Sequence, residues 1–189
     1  MLRRCFAVVA LALLAGGCQG PVVRPDPVPV SSPTIAPVGE PVAFHLRLDT
    51  GQRLIMRSAG SGACPGLDAR VDLGARRAVR LAAYATTCST DDNGRIGNGS
   101  HGVYRTATDV PADRRATATT VQTALGAGIA FSQQYYECTN SCSHYTEPVA
   151  VITLDHPADP AFPTLTIISE KRTIDLDQMT AVLREQLAA

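Results

Sequence analysis

Apolar and polar residues alternate with a period of two through much of the chain beyond residue 42. The alternation runs through three segments, 44–48, 67–73 and 79–83. Half-buried β-strands show this pattern because successive side chains of a strand point to opposite faces of the sheet. The pattern therefore predicts antiparallel strands, each with one face toward a hydrophobic core.

The second and third of these segments predict a β-hairpin. We expect a register in which the numbers of facing residues sum to 152, with apolar residues paired on one face of the hairpin. On the other face Asp72 then lies opposite Arg80, which gives a cross-strand pair of opposite charges. The same register places Cys64 opposite Cys88.

A second hairpin is predicted between residues 129 and 151. Its register pairs residues whose numbers sum to 280, so that apolar side chains face one another and Cys138 faces Cys142. Four cysteines allow three pairings, but only Cys64 with Cys88 and Cys138 with Cys142 agrees with both registers. We therefore predict two disulfides, each within one hairpin.

Two further strands and a C-terminal helix complete the predicted fold. Residues 117–123 alternate β-branched side chains and predict a strand, with a helix from Asp113 onward as the alternative, and residues 165–169 predict a buried strand. Asp175 and Gln178 have the spacing of a capping box. The helix that follows carries one apolar stripe, formed by Leu176, Met179, Leu183 and Leu187. We expect an α+β domain in which this helix covers one face of an antiparallel sheet.

The first 18 residues have the pattern of an export signal. Arg3 and Arg4 precede an apolar stretch over residues 6–15, and small residues follow. This stretch is too short to span a membrane comfortably as a mature helix.

The leader ends in a sequence that resembles the lipobox of bacterial prolipoproteins, Leu14-Ala15-Gly16-Gly17-Cys18. The resemblance implies cleavage after residue 17 and acyl chains such as palmitate on the new amino-terminal residue, Cys18. Gln19 resembles the sorting pattern of outer-membrane lipoproteins. Two or three acyl chains anchor a protein durably, because each buried methylene contributes about 0.8 kcal/mol. An ordinary cleaved signal peptide is the alternative.

Seven of the 13 prolines lie between residues 19 and 41. Proline lacks an amide donor and favours extended polyproline II, so we expect a disordered tether over 18–41 that begins at the lipidated cysteine. At about 3.1 Å per residue, the tether reaches on the order of 60 to 70 Å from the membrane. The predicted organisation is a signal peptide over 1–17, this tether, and one globular β-rich domain over 42–189.

Net charge gives no indication of nucleic-acid binding, because 17 basic residues balance 17 acidic ones. Charge is nevertheless unevenly distributed. Residues 42–80 contain seven arginines against three aspartates, whereas residues 137–177 contain seven acids against Lys171 and Arg172. Either these halves neutralise each other within the fold, or the arginines form a basic face that meets anionic lipid or polymer.

No metal-binding or catalytic motif is complete. Cys138, Cys142 and His144 lack an evident fourth ligand, and exported thiols are expected to be oxidised. Residues 89–100 imitate a calcium loop, but serines stand at its first and last positions, where carboxylates are needed. Residues 97–102 lack the spacing of a nucleophile elbow. We therefore expect no metal, no cofactor and no enzymatic activity.

Together these features predict a cell-envelope lipoprotein of the cell membrane or the outer membrane, facing the periplasm or the exterior. We expect a binding or structural module whose partner is an envelope protein, a lipid or an anionic polymer. A carrier of small apolar ligands, similar to lipocalins, is one alternative, although the chain has no tryptophan for the Gly-x-Trp signature of that family. An envelope hydrolase that uses His101 or His144 is the other.

Overall fold

The computed structural model describes residues 32–57, 64–91, 95–96, 102–138 and 140–187, and the side chains of residues 137 and 138 are outside this description. Its first strands are β1 (Thr34–Val38), β2 (Phe44–Leu48), β3 (Arg53–Arg57), β4 (Gly66–Gly74), β5 (Arg77–Tyr84), β6 (Arg95–Ile96) and β7 (Val103–Tyr104). The later elements are α1 (Ala112–Thr117), β8 (Thr119–Thr123), β9 (Gly126–Cys138), β10 (Cys142–Thr153), β11 (Thr164–Ser169) and α2 (Leu176–Gln186).

Seven of these strands form one sheet in the order β3-β4-β5-β11-β10-β9-β8. Every pairing in the sheet is antiparallel. The sheet consists of two meanders, β3 to β5 and β8 to β11, which join where β5 pairs with β11. The predicted α+β class with an antiparallel sheet and a C-terminal helix is therefore confirmed.

Hairpin β9–β10 has the predicted register. Phe131 faces Val149 and Tyr135 faces Tyr145, so that facing numbers sum to 280. The two tyrosine rings stack with their centroids 4.4 Å apart. A shift of this register by one residue would move the apolar side chains of one strand to the opposite face of the sheet. A long alternating pattern therefore specifies the register.

The register predicted for hairpin β4–β5 is wrong by two residues. Arg70, and not Asp72, faces Arg80, so that facing numbers sum to 150 rather than 152. The turn explains the difference: Ala75 and Arg76 have φ of +50° and +63°, as in the two-residue turns that suit hairpins, and the register shifts just before them. Because the error is an even number of residues, each side chain keeps its predicted face.

The Cys64–Cys88 disulfide is present, with Cα atoms 5.0 Å apart. It joins Cys64, which precedes β4, to Cys88, which follows β5, at the end of the hairpin opposite its turn. Of the two predicted disulfides, this is the one that the described residues show. The register places Cys138 opposite Cys142, but the side chain of Cys138 lies outside the described residues, so that the second bridge stays a prediction.

The folded part begins before the predicted boundary at residue 42. Residues 34–38, expected in the disordered tether, form β1 and pair antiparallel with β2. Among the described strands β1 has no other neighbour, and proline is tolerated in such an edge strand because its missing amide can face away from the ladder. Pro37 therefore faces His45 without breaking the pairing. Buried Val38 ties β1 to the core.

Helix α2 covers one face of the sheet together with the β1–β2 hairpin. It begins with the predicted capping box: the Gln178 amide donates to the Asp175 carboxylate at 2.8 Å, and the Asp175 amide donates to Gln178 Oε1 at 3.1 Å. Met179 and Leu183 are fully buried. The predicted apolar stripe thus forms the contact between the helix and the sheet.

The opposite face is partly covered by the segment that contains β7 and α1. This segment packs over strands β5, β11, β10 and β9 and encloses a second apolar cluster, which includes Tyr104, Phe131 and Ile168. Helix α1 precedes β8, so that Thr117 is helical and the strand predicted from 117 begins at Thr119. The buried strand predicted over 165–169 is confirmed as β11.

Replacing Cys64 and Cys88 together with alanine is expected to lower the free energy of unfolding by about 3 kcal/mol, because the denatured chain regains the freedom that the cross-link removed. Guanidinium unfolding followed by circular dichroism measures the loss. The matched double variant Cys138→Ala/Cys142→Ala removes the second predicted bridge, which would close a much shorter loop, and should lose less. An equal or larger loss in that variant would contradict the argument from loop length.

Replacing Leu183 with alanine is expected to cost about 3 kcal/mol of unfolding free energy, since it leaves a cavity between α2 and the sheet. The control is Glu185→Ala, an exposed position two residues further along the helix, which should change stability by less than about 0.5 kcal/mol. Thermal unfolding of both variants provides the comparison. Similar melting temperatures would show that the helix does not pack as described.

Candidate functional site

The outer side chains of β3 and β4 lie beyond the covering segment and are exposed or half-buried. A cavity of about 350 Å³ opens there, on the same face of the sheet as the second apolar cluster. It is lined by Arg57, Asp68, Arg70, Arg80, Ile168, Glu170 and Lys171. We call this cavity the arginine pocket.

Strand pairing explains why three arginines share this pocket. Arg57 on β3 faces Asp68 on β4, and Arg70 on β4 faces Arg80 on β5. Ile168 of β11 is the next partner of Arg80. Facing residues of neighbouring strands lie on the same face of a sheet, so the period-two pattern brings the polar residues of three strands together.

The turn Glu170–Arg172, directly after β11, supplies the other lining residues. Lys171 and Arg172 have φ of +50° and +57°, a left-handed pair that bends the chain sharply at the end of the strand. The Arg172 guanidinium lies 5.0 Å from the centroid of the Tyr145 ring. This cation–π contact helps to hold the turn against β10.

Asp68 and Arg80 form a bidentate ion pair in the pocket. Arg80 Nε and Nη2 donate to the two carboxylate oxygens of Asp68 at 3.0 and 2.9 Å. Burial by itself lowers the pKa of Arg80, but the hydrogen bonds and the charge of Asp68 outweigh that effect and raise the pKa above its ordinary value. Arg80 is thus held in one orientation and stays charged.

Glu170 is shared by the other two arginines. Its Oε1 lies 2.8 Å from Arg57 Nη2, and its Oε2 accepts a hydrogen bond from Arg70 Nη1. The Glu170 side chain is 15% exposed, whereas the side chains of Arg57 and Arg70 are 40% and 31% exposed. The carboxylate therefore lies deeper than the guanidinium groups that it holds.

The lining carries more positive than negative charge. Its four cations, Arg57, Arg70, Arg80 and Lys171, face two carboxylates. Among the described residues Lys171 forms no ion pair. A guanidinium has five N–H donors, and the contacts above use one or two of them on each arginine. The pocket can therefore accept an anion.

A buried chain of hydrogen bonds lies elsewhere on the same face of the sheet. The Tyr104 hydroxyl donates to Gln133 Oε1 at 2.9 Å, and Gln133 Nε2 donates to Glu147 Oε1 at 2.8 Å. Glu147 is fully buried. A Cβ at Gly102 would collide with the Gln133 amide, so glycine is needed where the chain crosses this group. These hydrogen bonds satisfy polar groups that would otherwise be costly to bury.

Not all of the residues singled out from the sequence lie within the part of the chain that the structure describes. Cys18 lies outside the described residues, as does His101. His144 is exposed on β10, and its ring centroid is 6.3 Å from that of Tyr136. In the loop that imitates a calcium site, the Asp91 carboxylate accepts hydrogen bonds from Arg95.

In the arginine pocket the two halves of the chain neutralise each other in part. Glu170, from the acidic half of the chain, neutralises arginines of the basic half, and a positive surplus remains. Sequence reasoning placed Arg70 on the polar face of a predicted strand. It predicted no strand at Arg57, which lies on β3, and it did not bring Glu170 or Lys171 to these arginines. The complementary charges of residues 42–80 and 137–177 were the sequence signal that these segments meet.

No family model, no curated protein and no solved structure matches this chain. The chemistry of the arginine pocket is therefore the basis for inferring function.

The buried Tyr104 hydroxyl predicts that the protein loses stability at alkaline pH. Burial raises the pKa of Tyr104 from 10.0 to about 12. Because the folded pKa lies above the unfolded one, protonated Tyr104 stabilises the fold fully below pH 10, and this contribution disappears as the pH rises to about 12. Urea unfolding at several pH values should show this decline in wild type and its absence in Tyr104→Phe.

Tyr136→Phe is the control for that measurement, since Tyr136 is 61% exposed. It should keep the wild-type decline between pH 10 and 12. If Tyr104→Phe declined as steeply as wild type, Tyr104 would not be the group responsible.

Proposed function

We propose that the protein is a lipid-anchored protein of the cell envelope that binds an anionic group in its arginine pocket. The observation that carries the proposal is the charge of that pocket, in which three arginines and a lysine meet two carboxylates. Partly buried guanidinium groups bind anions more strongly than exposed ones, because less water competes for their donors.

Two observations support the proposed location of the protein, the leader sequence and the Cys64–Cys88 disulfide. The leader resembles that of prolipoproteins up to Cys18, and the Cys64–Cys88 disulfide is of a kind that persists in oxidising compartments. Neither described helix has the length and apolar character needed to cross a membrane. On this proposal acyl chains hold the protein at the membrane, and the segment between Cys18 and β1 connects them to the sheet.

Binding fits the pocket better than catalysis does. Its lining offers cations, one isoleucine and two carboxylates. Asp68 is held by Arg80, and Glu170 by Arg57 and Arg70. Both carboxylates are thus already paired with arginines, whereas the surplus cations remain suited to an anionic ligand.

The test uses the chain from residue 18 onward with Cys18→Ser, which contains neither the apolar leader nor the acylated thiol. Its probes are vesicles of equal parts phosphatidylcholine and phosphatidylglycerol, and dextran sulfate as a soluble anionic polymer. We expect salt-sensitive binding to at least one probe, and about tenfold weaker binding when Arg57→Gln and Arg70→Gln are added.

The matched control is the pair Arg76→Gln and Arg77→Gln, which removes the same charge from the exposed β4–β5 turn. It should bind nearly as well as the parent. Equal weakening by both pairs would show that net charge, and not the pocket, determines binding. Failure to bind either probe at low salt would overturn the proposed function. Circular dichroism confirms that each variant is folded.

A further inference from the structure

The charge of the arginine pocket indicates the charge of its ligand. Four cations and two carboxylates leave a formal surplus of two positive charges. A dianion restores neutrality, whereas a monoanion leaves one positive charge without a counter-charge. The two surplus charges attract a dianion more strongly than a monoanion, so the pocket favours an anion that carries two charges.

The arrangement of donors favours a tetrahedral anion over a planar one. A single arginine satisfies a carboxylate with two parallel hydrogen bonds, as Arg80 does for Asp68. The pocket instead surrounds one space with Arg57, Arg70 and Lys171, which come from two strands and a turn. Donors that converge from several directions suit the oxygens of a phosphoryl group, for which guanidinium and ammonium groups are both common ligands.

The size of the pocket limits the ligand. A cavity of about 350 Å³ is near the lower end of the range for small-molecule sites, which is about 300 to 1,000 Å³. Ile168 lines it, and Ile55, which faces Arg70 across the β3–β4 pair, is 44% exposed. Ile168 itself is only 1% exposed, so Ile55, which lies beside the lining, is the apolar side chain that offers contact to a short organic group.

Glu170 already occupies part of the space that such a ligand needs. Its carboxylate takes donors from both Arg57 and Arg70. An incoming anion must share these guanidinium groups with Glu170 and must approach its negative charge. Glu170 therefore positions the arginines and at the same time weakens the binding of an anion.

We propose that the arginine pocket binds the dianion of a phosphomonoester with a small organic group, and that Glu170 competes with this ligand for Arg57 and Arg70. This inference rests on the proposed function and narrows it to one class of ligand. The phosphomonoester has two possible sources, a lipid headgroup at the membrane surface and a soluble phosphate ester, which present the same group to the pocket.

Isothermal titration of the same Cys18→Ser chain, from residue 18 onward, tests the ligand class. Glycerol 3-phosphate, a phosphomonoester, is compared with dimethyl phosphate, a diester that carries a single charge. We expect the monoester to bind at least about tenfold more tightly. Binding should also tighten between pH 5 and pH 7, because the second ionisation of a phosphomonoester has a pKa of about 6. Sulfate, which does not titrate in this range, is the control.

Glu170→Gln tests the competition. Removing the negative charge while keeping the shape should tighten the binding of glycerol 3-phosphate by about fivefold, and a misfolded protein would not produce such a gain. Glu185→Gln, which removes an exposed carboxylate outside the arginine pocket, is the matched control and should leave affinity unchanged. Unchanged or weaker binding by Glu170→Gln would overturn the role given to Glu170.

Vesicles distinguish the two sources of the phosphomonoester. Phosphatidic acid presents a monoester and phosphatidylglycerol a diester, each mixed with phosphatidylcholine. Preference for phosphatidic acid vesicles supports a lipid headgroup, and binding of glycerol 3-phosphate without that preference supports a soluble ester. If the diester and the monoester bind equally, the ligand class is wrong while the proposed function stands. If no anion binds, both proposals fail.

Discussion

The pairing of β5 with β11 is the interaction on which the rest of the structure depends. It joins two meanders that are each built from neighbouring segments of sequence, and it pairs Arg80 with Ile168 and Val79 with Ser169. Thr173 extends the junction, since its hydroxyl bonds both the amide and the carbonyl of Ala78 at 3.0 Å. Without this junction the basic and acidic halves of the chain would not meet, and there would be no arginine pocket.

The position of the pocket follows from how the two faces of the sheet are covered. On one face, helix α2 and the β1–β2 hairpin bury the apolar side of every long strand. On the other face, the segment with β7 and α1 lies over β5, β11, β10 and β9. Under that segment most outer residues are apolar, as at Phe131 and Val149, and burial there is favourable. The buried polar pair Gln133 and Glu147 is hydrogen-bonded. On β4 the outer positions hold Asp68, Arg70 and Asp72, so a cover would have to desolvate charges.

Local patterns predicted local structure well. The register of β9–β10 and the capping box of α2 could be predicted from the sequence because each depends on residues that are close in the chain. The β4–β5 register was missed by two residues because it depends on the φ angles of Ala75 and Arg76, which ordinary turn signals do not reveal in residues other than glycine or asparagine. Strand β1 was missed because Pro37 and the prolines before and after the strand favour an extended tether equally well.

The parts that could not be predicted are those that require distant residues to meet. The encounter of Glu170 with Arg57 and Arg70 depends on the β5–β11 pairing, and the contact of Tyr104 with Gln133 depends on how the covering segment crosses the sheet. The charges of 42–80 and 137–177 are complementary in the sequence, but complementarity alone does not show which residues pair. Complementarity also does not show whether these charges neutralise each other fully or leave the positive surplus found in the arginine pocket.

Stability and ligand binding are coupled through the same carboxylates. Arg70 lies directly opposite Arg80, and like charges in facing positions destabilise a sheet unless an anion lies between or beside them. Asp68 and Glu170 supply that anion in the folded chain, so replacing either carboxylate is expected to lower stability even where it tightens ligand binding. An anion that enters the pocket adds negative charge where the surplus remains. It therefore stabilises the folded chain by mass action, in proportion to the logarithm of ligand concentration over its dissociation constant.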